Sequence, residues 1–368
     1  MTQILSSESA QNVENPVIRQ MFEMGHEQVV FCNDEATGLK AIIAIHNTVL
    51  GPALGGTRMW AYKNELEALN DVLRLSKGMT YKAAVAGLNL GGGKAVIIGD
   101  ARKDKTEAFM RRFGKFVNSL GGKYITAEDV GVGTKDMEYI SMETKHVTGI
   151  PVSYGGSGDP SPVTAFGVYL GMKAAAKEVY GNDNLSGKKV AVQGVGHVGE
   201  SLVEYLTKEG AKVYITDIYE DRLKDVSSKF NAEIVSTEAI YGIDMDIYAP
   251  CALGATLNDN TIPQLKCSIV AGAANNQLAN ERTHGQALID KGILYAPDFV
   301  INAGGLINVY TELEGYNQAR AMSKAEGIYE TTLNIFKIAK EKSIPTYRAA
   351  NQIAEDRINA ISKVKIHF

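Results

Sequence analysis

The sequence predicts an α/β protein: a mixed N-terminal unit joined to a doubly wound parallel sheet. Three observations carry this. Short apolar runs alternate with helical periodicity from residue 189 onward. The densest Gly/Pro/Ser cluster, Tyr154-Gly-Gly-Ser-Gly-Asp-Pro-Ser-Pro162, interrupts the chain as a hinge would. A length of 368 residues with 45% apolar and 22% charged side chains gives room for two cores and excludes disorder. Glycine is in excess, 37 residues against 9 prolines, which is not a linker composition and raises the question of where the glycines sit.

In the first unit, Lys40–Ile45 reads as a strand and Leu66, Leu69, Val72 and Leu73 as the apolar face of a helix. Phe109, Phe113, Phe116, Val117 and Leu120 mark a second helix, and Ala95–Ile98 a short buried strand. Past the break come the strand Lys189–Gln193, a helix carrying Val198, Leu202, Val203 and Leu206, and the strand Lys212–Thr216. Asp246–Ala249, Cys267–Ala271 and Asp298–Ile301 are further strand candidates. In the tail, Ser323 and Glu326 have the spacing of a capping box, and Ile328, Thr332, Ile335, Phe336 and Ala339 share a helix face. The expected division is 1–150 with 335–368 against 151–334, with C-terminal helices packing back on the first unit.

A net charge of −4 without a block of Lys or Arg leaves no electrostatic footprint for nucleic acid or an anionic membrane. Met1–Glu14 lacks the basic and apolar regions of a signal peptide, and no apolar run reaches the ~18–20 residues of a membrane span. Cys32, Cys251 and Cys267 form no C-x-x-C, and the histidines are scattered. That usage suits a reducing cytoplasm and argues against a metal site.

Gly194-Val195-Gly196-His197-Val198-Gly199 follows the 189–193 strand directly and opens the next helix. Gly194 allows the tight turn, Gly196 admits a pyrophosphate to the backbone, and Gly199 lets helix and strand approach. The phosphates would sit on the helix N-terminus. Asp217 ends the second strand, 23 residues after Gly194, where an acid hydrogen-bonds ribose hydroxyls and repels a 2′-phosphate. The expectation is a Rossmann-type domain binding NAD in preference to NADP. Asn275 and Asn302, at later strand ends, could reach the nicotinamide or its ribose, or act only as caps or turn residues.

Met79–Lys94 sets Lys82 and Lys94 on either side of a glycine-rich, nearly uncharged segment. It is not an ATP-binding P-loop: Leu88 stands where its first glycine belongs, and Ala95 replaces the Ser/Thr magnesium ligand. Burial and a second ammonium would lower a lysine pKa toward neutrality and make it a usable base; taken alone, the pair also fits surface lysines.

Six motifs settle that choice: Gly51-Pro-Ala-Leu-Gly-Gly-Thr-Arg58, Tyr81-Lys82, Gly87-Leu-Asn-Leu-Gly-Gly-Gly-Lys94, Thr126-Ala-Glu-Asp-Val-Gly131, Ser161-Pro-Val-Thr-Ala165 and Ile301-Asn-Ala-Gly-Gly305. In this order, over most of the chain, they resemble the leucine branch of the Glu/Leu/Phe/Val amino acid dehydrogenase family. The resemblance implies reversible oxidative deamination of an L-amino acid to a 2-oxo acid and ammonia with reduction of NAD. It implies that Lys82 holds the substrate α-carboxylate, that Lys94 activates the attacking water, and that Asp129 shuttles protons at the amino nitrogen. Thr164 and Asn275 would contact the nicotinamide end. It also implies a homo-oligomer, an octamer by analogy.

Glutamate-specific relatives carry a lysine immediately before the Gly-Gly pair. Here Leu54 precedes Gly55, and a substrate carboxylate buried there would lack a partner. Val309 falls where those enzymes place a second polar group. The expected pocket of Leu54, Gly55, Ala127, Leu306 and Val309 takes branched aliphatic side chains. Ala127 points to leucine, while Leu306 is closer to the phenylalanine enzymes, which stand as the alternative. A silent NAD-binding regulator would be expected to lose the lysine pair or Asp129, and all three are present. A hydroxy acid dehydrogenase would need a His/carboxylate pair, and only His197 lies in a motif.

Overall fold

The computed structural model describes residues 16–366, and over that span each half of the chain builds its own sheet. Met1–Glu14 lies outside the described residues. The first half runs α1 (Pro16–Met24), β1 (Gln28–Asp34), β2 (Leu39–Asn47), β3 (Ala53–Trp60), α2 (Glu65–Val85), β4 (Gly91–Ile98), α3 (Glu107–Ser119), β5 (Tyr124–Glu128) and α4 (Thr134–Ser141). The sheet order is β1-β2-β4-β3-β5, with β4, β3 and β5 mutually parallel and β1 and β2 antiparallel.

Strand β2 is a continuous apolar run because both its faces are covered. Ile42 and Ala44 meet Leu69, Val72 and Leu73 of α2, while Ile43 and Ile45 meet Phe109, Phe113 and Val117 of α3. The helix face read from Leu66 is narrower than expected: Leu66 is 47% exposed in the first turn of α2. Strand β4 begins at Gly91, four residues before the expected strand: its glycines admit the Asn47 carbonyl at Gly91, α2 at Gly92 and the Tyr124 ring at Gly93. A Cβ at Gly92 would come within 2.1 Å of the Thr80 amide nitrogen.

The second half runs α5 (Ser161–Tyr180), β6 (Lys189–Gln193), α6 (His197–Lys208), β7 (Lys212–Thr216), α7 (Glu220–Phe230), β8 (Glu233–Ile234), β9 (Ile247–Pro250), β10 (Ile269–Val270), α8 (Glu281–Asp290) and β11 (Leu294–Tyr295). Its sheet is wholly parallel, in the order β11-β10-β9-β6-β7-β8, the doubly wound arrangement the alternation predicts. The helices α9 (Asp298–Ile301), α10 (Gly304–Glu312), α11 (Gln318–Lys342) and α12 (Thr346–Ser362) follow.

Two expectations are corrected here. Asp298–Ile301 is a helical turn, not a strand, and the edge strand lies just before it at Leu294–Tyr295. Pro297 ends the extended run, and the Asp298 carboxylate accepts from the Phe299 and Gln277 amides at 2.6 and 2.9 Å. Ser323 does not open the tail helix: Asn317 caps it by accepting from the Arg320 amide at 2.9 Å. Residue 335 lies inside α11, which packs on α5, α10 and α12.

The last helix returns to the first unit, as expected. Arg357 of α12 donates to the carbonyls of Ala84, Gly87 and Leu88 at 2.7–3.2 Å, satisfying the C-terminal end of α2. Among the described residues no helix is long and apolar enough to cross a membrane.

Candidate active site

Parallel pairing sets Leu54 of β3 opposite Gly92 of β4 and Ile125 of β5, and Gly56 opposite Ala127. A Cβ at Gly55 would fall 1.7 Å from the Gly93 carbonyl oxygen, so this position accepts no side chain. Two residues along β4 from Gly92 stands Lys94, only 5% exposed, with Asp129 following directly on β5.

Lys94 Nζ lies 3.0 Å from Asp129 Oδ2, and the same oxygen accepts from Arg58 Nε at 2.9 Å. Arg58 Nη1 reaches Asp71 Oδ2 of α2 at 3.0 Å, and that oxygen also accepts from Tyr62 OH at 2.7 Å. Burial pushes the Lys94 ammonium down; Asp129 opposes this and Arg58 reinforces it. Burial alone would raise the Asp129 carboxyl, but the two cations outweigh it and hold it below the usual range. Lys82, in the last turn of α2, is pushed down to about 8 by burial, with Lys94 adding to the effect and Asp298 opposing it. The arrangement supplies two buried amines that hold their protons less tightly than usual and a carboxylate fixed between cations.

Leu54, Leu306 and Val309 are buried in one apolar cluster that spans both halves of the chain. Ala127 is buried on β5 but lies outside that cluster. Leu306 and Val309 come from α10, so the cluster that holds them with Leu54 draws on both units.

In the second unit Gly194 turns with a φ of +99°, and a Cβ there would meet Ala252 Cβ at 2.6 Å. A Cβ at Gly199 would lie 2.0 Å from the Gly194 carbonyl oxygen, so α6 packs tightly on the turn. At Gly196 the nearest atom to an added Cβ is Arg222 Nη1 at 3.7 Å, leaving the backbone open beside a cation. No side chain caps the start of α6, which leaves its first-turn amides without a side-chain acceptor, as an anion site would require. Val195 donates its amide to Asp217 Oδ2 at 2.8 Å, and Asp217 Oδ1 accepts from the Tyr219 amide at 3.0 Å. Each carboxylate oxygen retains capacity for another donor. His197 is exposed, 3.4 Å from the Asp159 carboxylate in the connecting segment.

Thr164, in the first turn of α5, donates to the Pro160 carbonyl at 2.9 Å. Asn302 is not at a strand end: it closes α9 and sends Nδ2 to Asn275 Oδ1 at 2.8 Å and to the Ala273 carbonyl at 3.0 Å. Its Oδ1 is buried without a partner, as a group waiting for a ligand amide would be. The uncapped helix start, the open Gly196 and this orphaned oxygen fit a dinucleotide. Among the described residues no cluster of three His, Cys, Asp or Glu could hold a metal.

Sequence reading passed over Arg58, although it closes a quoted motif, and Asp71 and Tyr62, which no motif flags. Glu312 was also passed over: its Oε2 accepts from the Gly149 and Ser157 amides at 3.0 and 2.8 Å, tying α10 to the connecting segment.

Residues 26–146 match the family described as Glu/Leu/Phe/Val dehydrogenase, dimerisation domain. Residues 155–218 and 214–365 match Glutamate/Leucine/Phenylalanine/Valine dehydrogenase. The chain is 58% identical over 348 residues to a leucine dehydrogenase of Thermoactinomyces intermedius, covering 95% of each. It is 50% identical to a phenylalanine dehydrogenase of Caldalkalibacillus thermarum, covering 93% of this chain and 94% of the relative. The crystal structure of L-tryptophan dehydrogenase from Nostoc punctiforme superposes with a TM-score of 0.84 at 49% identity, over 94% of this chain and 99% of that one. With both halves matched and the same two-sheet architecture, the chain belongs to the Glu/Leu/Phe/Val dehydrogenase family of oxidoreductases.

Proposed function

We propose that the protein catalyses the reversible NAD-dependent oxidative deamination of L-leucine, and of other branched-chain L-amino acids, to the 2-oxo acid and ammonia. The observation that carries this is the ion pair of buried Lys94 with Asp129, together with Leu54 in the apolar cluster, which offers no partner to a side-chain carboxylate. The higher identity to the leucine enzyme than to the phenylalanine enzyme favours leucine. Leu306 favours phenylalanine as the second substrate to test.

Lys82 holds the substrate α-carboxylate. Asp129 takes and returns protons at the amino nitrogen. Lys94, once neutral, removes a proton from the water that attacks the substrate imine. The nicotinamide supplies the hydride acceptor for Cα. Gly194, Val195, Gly196, His197, Val198 and Gly199 cradle its pyrophosphate, Asp217 selects NAD through the ribose hydroxyls, and Thr164, Asn275 and Asn302 hold the nicotinamide end. Leu54, Gly55, Ala127, Leu306 and Val309 receive the aliphatic side chain. Residues 1–150 with 335–368 form the substrate and oligomerisation unit, and 151–334 the nucleotide unit. The dimerisation description of the 26–146 match supports a homo-oligomer, with an octamer as the form to test, and a cytoplasmic location accords with the unpaired cysteines.

The test is reduced-nicotinamide formation at alkaline pH with leucine, valine, isoleucine, phenylalanine and glutamate, using NAD and NADP in parallel. Leucine with NAD should lead; glutamate turning over as fast as leucine would remove the Leu54 argument. Lys94→Ala should lose at least a thousandfold in kcat while still binding NAD, and retained turnover would take Lys94 out of its role.

A further inference from the structure

The carboxylate oxygen that meets Lys94 is shared. Asp129 Oδ2 is 3.0 Å from Lys94 Nζ and 2.9 Å from Arg58 Nε, and Arg58 is gripped at its other end by Asp71 Oδ2 at 3.0 Å. Asp71 is itself fixed, accepting from Tyr62 OH at 2.7 Å and from Arg74 at 3.0 Å. We propose that Arg58, anchored by Asp71, is a positioning residue that fixes the Asp129 carboxylate and takes up part of the negative charge facing Lys94.

A buried carboxylate paired with one ammonium locks the proton on that ammonium, which is the wrong state for a base. A guanidinium on the same oxygen cannot compete for the role, because it stays protonated. It draws part of the charge on the shared oxygen away from the ammonium, so Lys94 holds its proton less tightly than it would against Asp129 alone. The charged groups around Lys94 are Asp129 from the β5 end, Arg58 from β3, and Asp71 and Lys82 from α2; Tyr124 of β5 also lies near Asp129. Of these, Arg58 is the cation in direct contact with the lysine's own partner.

The proposal rests on Lys94 being the base and Asp129 its partner. Its test is the pH profile of kcat/KM for leucine with NAD, in the full chain and in Arg58→Gln, Arg58→Lys and Lys94→Ala. Arg58→Gln should move the acid limb up by about one pH unit, an about tenfold loss below the limb that is largely recovered in alkali. Arg58→Lys keeps the charge but cannot bridge Asp129 and Asp71, so the limb should stay in place while kcat falls. An equal loss at every pH in Arg58→Gln, or none, overturns the proposal while Lys94→Ala remains inactive. If Arg58→Gln fails to fold, Arg58→Lys decides, and an unchanged kcat there overturns it. Turnover in Lys94→Ala would instead defeat the underlying reading, so the two failures are distinguishable.

Discussion

At the residue scale, what the sequence makes legible is whatever a fixed spacing encodes. The glycines at 194 and 199 are separated by the span of a turn, and the structure gives each a close approach that no side chain could share. Lys94 and Asp129 are legible through motifs. Arg58's role is not, because its partners stand 13 and 71 positions away and meet it only once α2 packs on the sheet and β3 pairs with β5. Leu54 supports a direct prediction. Leu54→Lys places an ammonium in the apolar cluster, and the kcat/KM ratio of glutamate to leucine should rise at least about tenfold. Competing-substrate assays read that ratio, and an unchanged value would place the side-chain pocket elsewhere.

Elements are legible where periodicity is clean and opaque where a short apolar run could be either strand or helix. Strand β2 and helices α2 and α3 follow from their patterns, whereas Asp298–Ile301 carries four residues of signal and is settled by the proline before it. Strand β4 hides its start because glycine has little strand preference, and only the close approach of Asn47, α2 and Tyr124 to its three glycines explains it. The α2–β2 contact also holds a buried histidine pair that no motif announces. His26 Nε2 meets Ser76 Oγ at 2.8 Å, His46 Nδ1 meets Thr80 Oγ1 at 2.8 Å, and the ring centroids are 4.8 Å apart. Burial pushes both rings from the ordinary 6.5 down to about 4, with Lys77 adding to it. The unfolded chain therefore binds protons that the native state refuses, and stability falls as pH drops from about 6.5 toward 4. Each ring alone accounts for about 3 kcal/mol at full protonation, and solvent screening of the part-exposed His26 lowers its share. Urea midpoints at pH 7 and pH 5 measure it; a His26→Gln/His46→Gln chain should show a flatter slope, and equal slopes would count against the assignment.

For the whole molecule, the alternation of strands and helices foretells the second sheet, and the Gly/Pro/Ser cluster lies between the last strand of the first sheet and the first strand of the second. The return of the tail is legible as a tendency, but its docking point is not, since it depends on one guanidinium meeting one helix end. Arg357→Ala leaves the carbonyls of Ala84, Gly87 and Leu88 without that donor and should cost about 2 kcal/mol. Because Lys82 sits in the same last turn, KM for the amino acid should rise more than kcat falls. Thermal melts and steady-state kinetics together check this, and a loss of stability with KM unmoved would separate the two.

That docking has a consequence for the order in which the protein becomes active during synthesis. Both sheets are complete in sequence by Tyr295, yet the helix bearing Lys82 receives its closing contact from residue 357. The helix bearing Lys82 therefore gains its last bracing contact only when residue 357 has been made, and a chain ended before that point lacks both this contact and the tail side chains that complete the cores.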